Sequence, residues 1–388
     1  MMTPDQTLWA LVSTSLVMLT LPGAALFYGG MVRKKNVLNT IGLPFSALVV
    51  TSLAWVLLGE TLIYGGGGGA VPGRAAGGGS ALLIFHALTG SLALALVAGG
   101  VVERIRFSFF LLFGVLWMLL AYGPLARWLW GGGWLANLGA LDFAGGAVIH
   151  ISAGVTALVA AVMVGPRLGY GRTETMPHHL PFSFCGVALM WVGWFGFSAG
   201  PGTNPMTTVT GAFVAIQSSA VTAALTWMIA EWLQRDKPTA LGTASGALAG
   251  LVAITPAAGY VSPLMAVVIG VGAGGFCYMV VNYVKLILGY DDSLDVFGMH
   301  GVGGTWGMVA TGLFASTEVN PDGSDGLFYG YPYQFFVQVL AALVAWVVAG
   351  GVSVLLIALL RIFLPVRVDE QAETRGLDLS QHQENGYS

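Results

Sequence analysis

The sequence predicts an all-α polytopic membrane protein with eleven transmembrane helices, arranged as an inverted repeat of five plus five with one long helix added at the C-terminal end. Three observations carry this. The 388 residues are 56% hydrophobic and only 9% charged, with a mean hydropathy of +0.79, against roughly 25% charged residues in an ordinary soluble domain. Apolar stretches long enough to cross a bilayer recur along the chain. Two histidines, His150 in DFAGGAVIH and His300 in DVFGMHG, lie inside apolar segments about half a chain apart. A polar ring in a bilayer interior is costly, and it marks a pathway for ions, protons or substrate.

The expected spans lie near residues 8–30, 37–62, 82–102, 107–126, 141–164, 181–200, 207–233, 239–257, 260–288, 297–316 and 332–364. The first, about Leu8 to Gly30, is long enough to span and is followed by Arg33, Lys34 and Lys35, so no separate signal peptide is read there. The last exceeds what a bilayer needs and is expected to tilt or to run beyond the lipid. Basic residues set the orientation. Arg33, Lys34, Lys35, Arg104, Arg106, Arg167, Arg172, Arg235, Lys237, Lys285, Arg361, Arg367 and Arg375 fall on one side of this map, and only Arg74 and Arg127 on the other. An odd number of spans with the N-terminus outside and the C-terminus cytoplasmic follows. The transmembrane domain is expected over 1–364, with repeats about 8–165 and 181–316 and an extra helix about 332–364, and a cytoplasmic tail over 365–388.

Cys185 and Cys277 fall in apolar segments, so no disulfide framework is expected. Of the 57 glycines, those from Gly65 to Gly79 form a loop without the Lys-Ser/Thr ending of a phosphate loop. Many of the others lie inside spans, where small residues let helix backbones approach closely.

On this topology Asp142 opens the fifth span at the outer surface, with His150 about 12 Å deeper at 1.5 Å per residue. Asp295 opens the tenth span at the opposite face, with His300 about 7.5 Å in. Adjacent neutral imidazoles can share a proton and line a narrow path. Each aspartate precedes an apolar helix, where a carboxylate also caps backbone N–H groups, a structural role expected above all for Asp295. Trp130, Phe197 and Phe85 gather at the outer end of the same path. Aromatic faces attract cations by about 0.5–2 kcal/mol each when partly desolvated, so rings near a carboxylate suit a small cation. An interfacial aromatic belt explains most of the other Trp and Tyr residues.

The strings LPGAALFYGGMVRKKNVLNT, VVERIRFS, WGGGWLANLGALDFAGGAVIHISAG, GWFGFSAG, TPAAGY, DSLDVFGMHGVGGTWG and GLDLSQHQENGYS resemble the ammonium transporter family, which includes the methylammonium permeases and Rhesus glycoproteins. The likeness runs from the first span to the last residues. It implies a homotrimer with one pore in each subunit, between two pseudo-symmetric halves. It also implies an outer cation-recruiting site at Trp130, Phe197 and the region of Phe85, with Asp142 beneath it, and a twin-histidine pair of His150 and His300 with Trp194 beside the pore. The implied mechanism removes a proton from ammonium and passes ammonia, which excludes potassium because potassium has no proton to lose. Such tails pack under the trimer and can couple to a PII-type signalling protein. No cofactor, metal or nucleic-acid partner is implied.

The chain departs from the family at the outer gate. Where bacterial members read Phe-x-x-x-Phe, this sequence has FHALT, with Thr89 at the second phenylalanine and His86 beside the first; Pro201 stands where a serine is expected. A sensor with little flux and a transporter of a larger amine are the alternative readings, and an enzyme is the least favoured class.

Overall fold

In a computed structural model, residues 4–59, 61, 80–172, 176–199 and 206–387 are described, and there the chain is helical, with a single isolated β-bridge between Ile105 and Arg367. Most of the loop from Gly65 to Ser80, and Pro201 with it, lies outside the described residues. Among the described residues nine helical segments are long and apolar enough to cross a membrane, from Pro4–Met31 to Pro332–Leu360. The stretches near 239–257 and 297–316 contain shorter apolar helices, Ala240–Ile254 and Val302–Phe314. Side chains such as Leu233, Ile287 and Val347 stay exposed on the flanks of the long helices, as an apolar solvent requires of a bundle with no aqueous surface there.

Helix starts follow ordinary capping chemistry. Thr239 accepts from Gly242 N and Ser262 from Met265 N, and proline occupies the first turn of the helices at Leu180, Pro263 and Pro332, where its missing N–H costs nothing. Small residues then set how closely the helices pack. A Cβ at Gly186 would meet the backbone of Gly23 and Phe27, and Gly246 and Gly250 meet the Ser219–Trp227 stretch of the long helix Met206–Arg235. Gly270 and Gly274, from another helix, reach the same stretch.

The face that carries the C-terminal tail is tied together by buried charge. Glu103 accepts from Arg33 and Asn36 through one oxygen and from Arg167 through the other. Arg167 in turn grips both carboxylate oxygens of Asp291. Burial by itself would raise both carboxyls, but the arginines override it: Glu103 is held at about 2, and Asp291 below its usual range. Across this network lies the tail, as two short helices, Glu370–Arg375 and Leu377–His382. Lys35 donates to the carbonyls of Glu373 and Thr374, Leu377 N to Asn36, and Asn39 N to Asp378. A tail too short to fold alone is thus ordered by the loops it covers.

A candidate pore with paired histidines

Both histidines sit in π-helical turns at the start of their helices, His150 in Gly146–Ile151 and His300 in Phe297–Gly301. Single π turns inside α-helices recur at functional sites, because the extra residue turns one side chain off the regular helical face. The first turn is entered through Gly145 at φ +108°, a left-handed conformation that glycine adopts without cost. The two helices then cross at contact distance: a Cβ on Gly154 would collide with the Gly301 backbone, and one on Gly304 with Gly146 O. Gly154 and Gly304 stand four residues beyond their histidines, so the two crossings are related by exchange of the helices.

This crossing brings the rings together. His150 Nδ1 and His300 Nδ1 are 3.3 Å apart, with ring centroids at 5.2 Å and planes inclined by 22°. One nitrogen of the contact must donate and the other accept, so the pair holds one proton between its Nδ1 atoms when both rings are neutral. His150 lies parallel to Trp194 at 5.3 Å and edge-on to Phe197 at 5.9 Å. Trp194 is held by a hydrogen bond to Thr255. His150 is sealed from solvent, whereas His300 borders a cavity of about 40 Å³ on the tail side. Phe27, Leu96, Met190, Leu248 and Asp295 contribute to its largely apolar wall.

Toward the opposite face, Trp130 donates its indole N–H to the carbonyl of Asp142 at 2.8 Å. The Asp142 carboxylate is filled by four backbone N–H groups: Gly145 and Gly146 on one oxygen, Ala147 and Val148 on the other. It caps the π turn that carries His150 and fixes that turn's geometry. His86 lies nearly parallel to Trp130 at 6.1 Å and edge-on to Phe85 and Trp55 at 6.0 Å. Thr89 faces Tyr122, hydroxyl to hydroxyl at 3.0 Å, and is fully buried.

The structure therefore sorts the sequence-predicted residues into two groups. Trp130, Phe85, His86 and Asp142 form one cluster; His150, His300, Trp194 and Phe197 form the other, with Phe197 against His150. One expectation is corrected. The carboxylate that caps the second histidine turn is Asp292, through Phe297 N, and not Asp295, whose carboxylate pairs with Lys285. Asp292 precedes His300 by eight residues, as Asp142 precedes His150, and that equal spacing is the signal that could have identified it. Tyr122, Trp55 and Thr255 join the site through contacts between distant segments, which no local pattern announces.

The family profile described as Ammonium Transporter Family matches residues 8–387. An ammonium transporter of Bacillus subtilis is 44% identical over 388 residues, covering 96% of each chain. The ammonium transporter Amt1 of Archaeoglobus fulgidus is 40% identical and covers 98% of each. Among solved structures, Mep2 of Candida albicans aligns with a TM-score of 0.89 at 30% identity, over all of this chain and 93% of that one. A sensor Amt protein aligns at 0.87 and 25% identity, over 97% of this chain and 98% of that one.

Proposed function

Since the chain belongs to the ammonium transporter family, whose members are multi-pass membrane transporters and not enzymes, we propose that it recruits ammonium at the Trp130–Phe85–His86 cluster and strips a proton from it. Ammonia then moves past Phe197 and Trp194 along the histidine pair. The observation that carries this reading is the buried His150–His300 contact at 3.3 Å. A charged ion at this depth would lose its hydration with few oxygens to replace it, whereas a neutral molecule can exchange hydrogen bonds with the imidazoles. The proton travels separately through the shared Nδ1 position. Asp142, with its oxygens filled by backbone donors, supports this electrostatically and positions His150.

The same reading places eleven spans in the cell's inner membrane, in repeats about 8–165 and 181–316 plus the last helix, with the Trp130 cluster outside and the tail cytoplasmic. It makes the protein a homotrimer whose tail is the surface for a PII-type partner. The test is current measurement on reconstituted protein after concentration jumps of ammonium, methylammonium and potassium. Ammonium current without potassium current supports it; equal currents for ammonium and potassium overturn it. The likeness to a sensor Amt protein and the tail folded over the loop ends favour a second reading, ammonium sensing, which tight binding without flux would establish.

A further inference from the structure

The wall of the cavity that touches His300 includes a second polar side chain. Trp227, on the long helix Met206–Arg235, contributes to the cavity wall. It is 3% exposed, and its indole Nε1 is buried with no hydrogen-bond partner among the described residues. Elsewhere in the bundle buried indoles donate: Trp117 to Thr156 and Trp194 to Thr255. Leaving a buried donor unused is more costly than the net gain of making the bond, so Trp227 stands apart from its neighbours. Its ring is fixed in place. It meets Tyr278 edge-on at 5.3 Å, and Gly246 of the adjacent helix leaves the room its Cβ needs, since a Cβ at Gly246 would fall 2.6 Å from it.

We propose that Trp227 is a recognition residue for the uncharged substrate: its indole N–H donates to the lone pair of an ammonia molecule that has passed the histidine pair. The proposal rests on the transport reading above and goes beyond it by naming what the tail-side cavity selects. An indole is a donor only. Ammonia has a lone pair to receive that hydrogen bond; ammonium has none, and potassium would meet the positive end of the N–H dipole. The cavity, at about 40 Å³, holds a molecule of water size. A donor at this position holds the neutral molecule after deprotonation and opposes re-entry of cations from the tail-side mouth, where Lys285 and Asp295 form their ion pair.

The test uses the full chain in nanodiscs with nitrogen-15 in its tryptophans. The Trp227 indole resonance is assigned by its loss in Trp227→Phe, or in Trp227→Tyr where that variant assembles better. Ammonium chloride is titrated at alkaline pH, where much of it is ammonia, and again at acidic pH, with potassium chloride as the control. The expected result is a shift of the Trp227 N–H that follows the ammonia concentration and is absent with potassium. In proteoliposomes, Trp227→Phe keeps an aromatic ring but loses the donor, and should lower ammonium flux about 2- to 10-fold, the weight of one neutral hydrogen bond. An unshifted resonance in wild-type protein that conducts ammonium, or a shift with potassium, overturns the assignment while leaving the transport reading intact. Wild-type protein that shows no ammonium current overturns the transport reading instead.

Discussion

His150 and His300 meet through the same atom, Nδ1 to Nδ1 at 3.3 Å, although their helices enter from opposite faces. The meeting leaves the two Nε2 atoms unlike. The ring that donates at the contact has an acceptor Nε2, and the ring that accepts has a donor Nε2. Moving the shared proton across the contact, followed by relay at the two ends, exchanges these roles and carries one charge along the pair.

Replacing both histidines with leucine is therefore expected to lower ammonium current by about 10²-fold or more, the scale of losing a positioned proton-transfer group. Currents from ammonium and potassium jumps on the reconstituted double variant check this. Wild-type ammonium current with potassium still excluded would mean that the rings only fill space.

The contact depends on how closely the helices cross. At Gly154 an added methyl runs into the Gly301 backbone, which has no flexible end to move aside. Gly154→Ala should cost about 1–3 kcal/mol in stability and push the two π turns apart. A lower midpoint in thermal unfolding together with lost current is the expected pair of results; Gly351→Ala, where a Cβ meets nothing within 4 Å, should change neither.

Composition and period made the helical bundle legible, because an apolar span must satisfy its backbone within itself. The paired histidines were legible because each is a polar residue in an apolar run. Asp292 was missed because Asp295 lies nearer the motif. Asp295 takes a left-handed φ of +60°, which Asp tolerates, and its carboxylate turns to Lys285. The packing of His86 on Trp130 and Thr89 on Tyr122 joins segments tens of residues apart. Such pairs follow from the tertiary crossing and leave no trace in local spacing.

Acid should loosen the tail-bearing face. Glu103 is held at about 2, below an unfolded value of roughly 4.3. A carboxyl depressed in the folded state contributes stability that is present above its unfolded pKa and lost as pH falls through the folded one. Asp291, also depressed, acts in the same direction. Unfolding midpoints should thus fall steadily between about pH 4.5 and 2. In Glu103→Gln that slope should be shallower, on a midpoint already lower at neutral pH.

Asp292 should act with the opposite sign. Burial, with the neighbouring Asp295 charge adding to it, outweighs Lys285 and pushes its carboxyl up to about 6. A carboxyl raised on folding destabilises the protein as pH climbs from its unfolded value of roughly 3.9 through the folded one. Asp292→Asn, which keeps an oxygen to accept from Phe297 N, should flatten the stability profile between about pH 4 and 6. An unchanged slope in that window would mean that Asp292 is not the group that titrates there.

Deleting residues from Gly376 onward should alter activity or binding of a PII-type partner. The segment donates Leu377 N to Asn36, receives Asn39 N at Asp378 and Phe107 N at Gln381, and its Tyr387 hydroxyl reaches His178. These partners lie in the connections and the first helical turns on that face. Removing them frees the loop ends. Unchanged current and unchanged partner binding in the deletion would reduce the tail to a passive cover.

The gate at Thr89 gives the sharpest expectation. Its hydroxyl is committed to Tyr122 and it is fully buried, so this position contributes no ring. His86 instead lies against Trp130, between Phe85 and Trp55. One aromatic face is worth about 0.5–2 kcal/mol toward a cation, or roughly 2- to 30-fold in affinity. Thr89→Phe breaks the bond to Tyr122 and adds that face, so the apparent half-saturation for ammonium should fall within this range. The added bulk should also disfavour methylammonium relative to ammonium, because the larger amine needs the space that threonine leaves. Uptake of both substrates by the variant, measured in competition, checks the two effects at once. If neither changes, the entrance is governed by the His86–Trp130 pair, and His86→Ala should then raise the half-saturation where Thr89→Phe did not lower it.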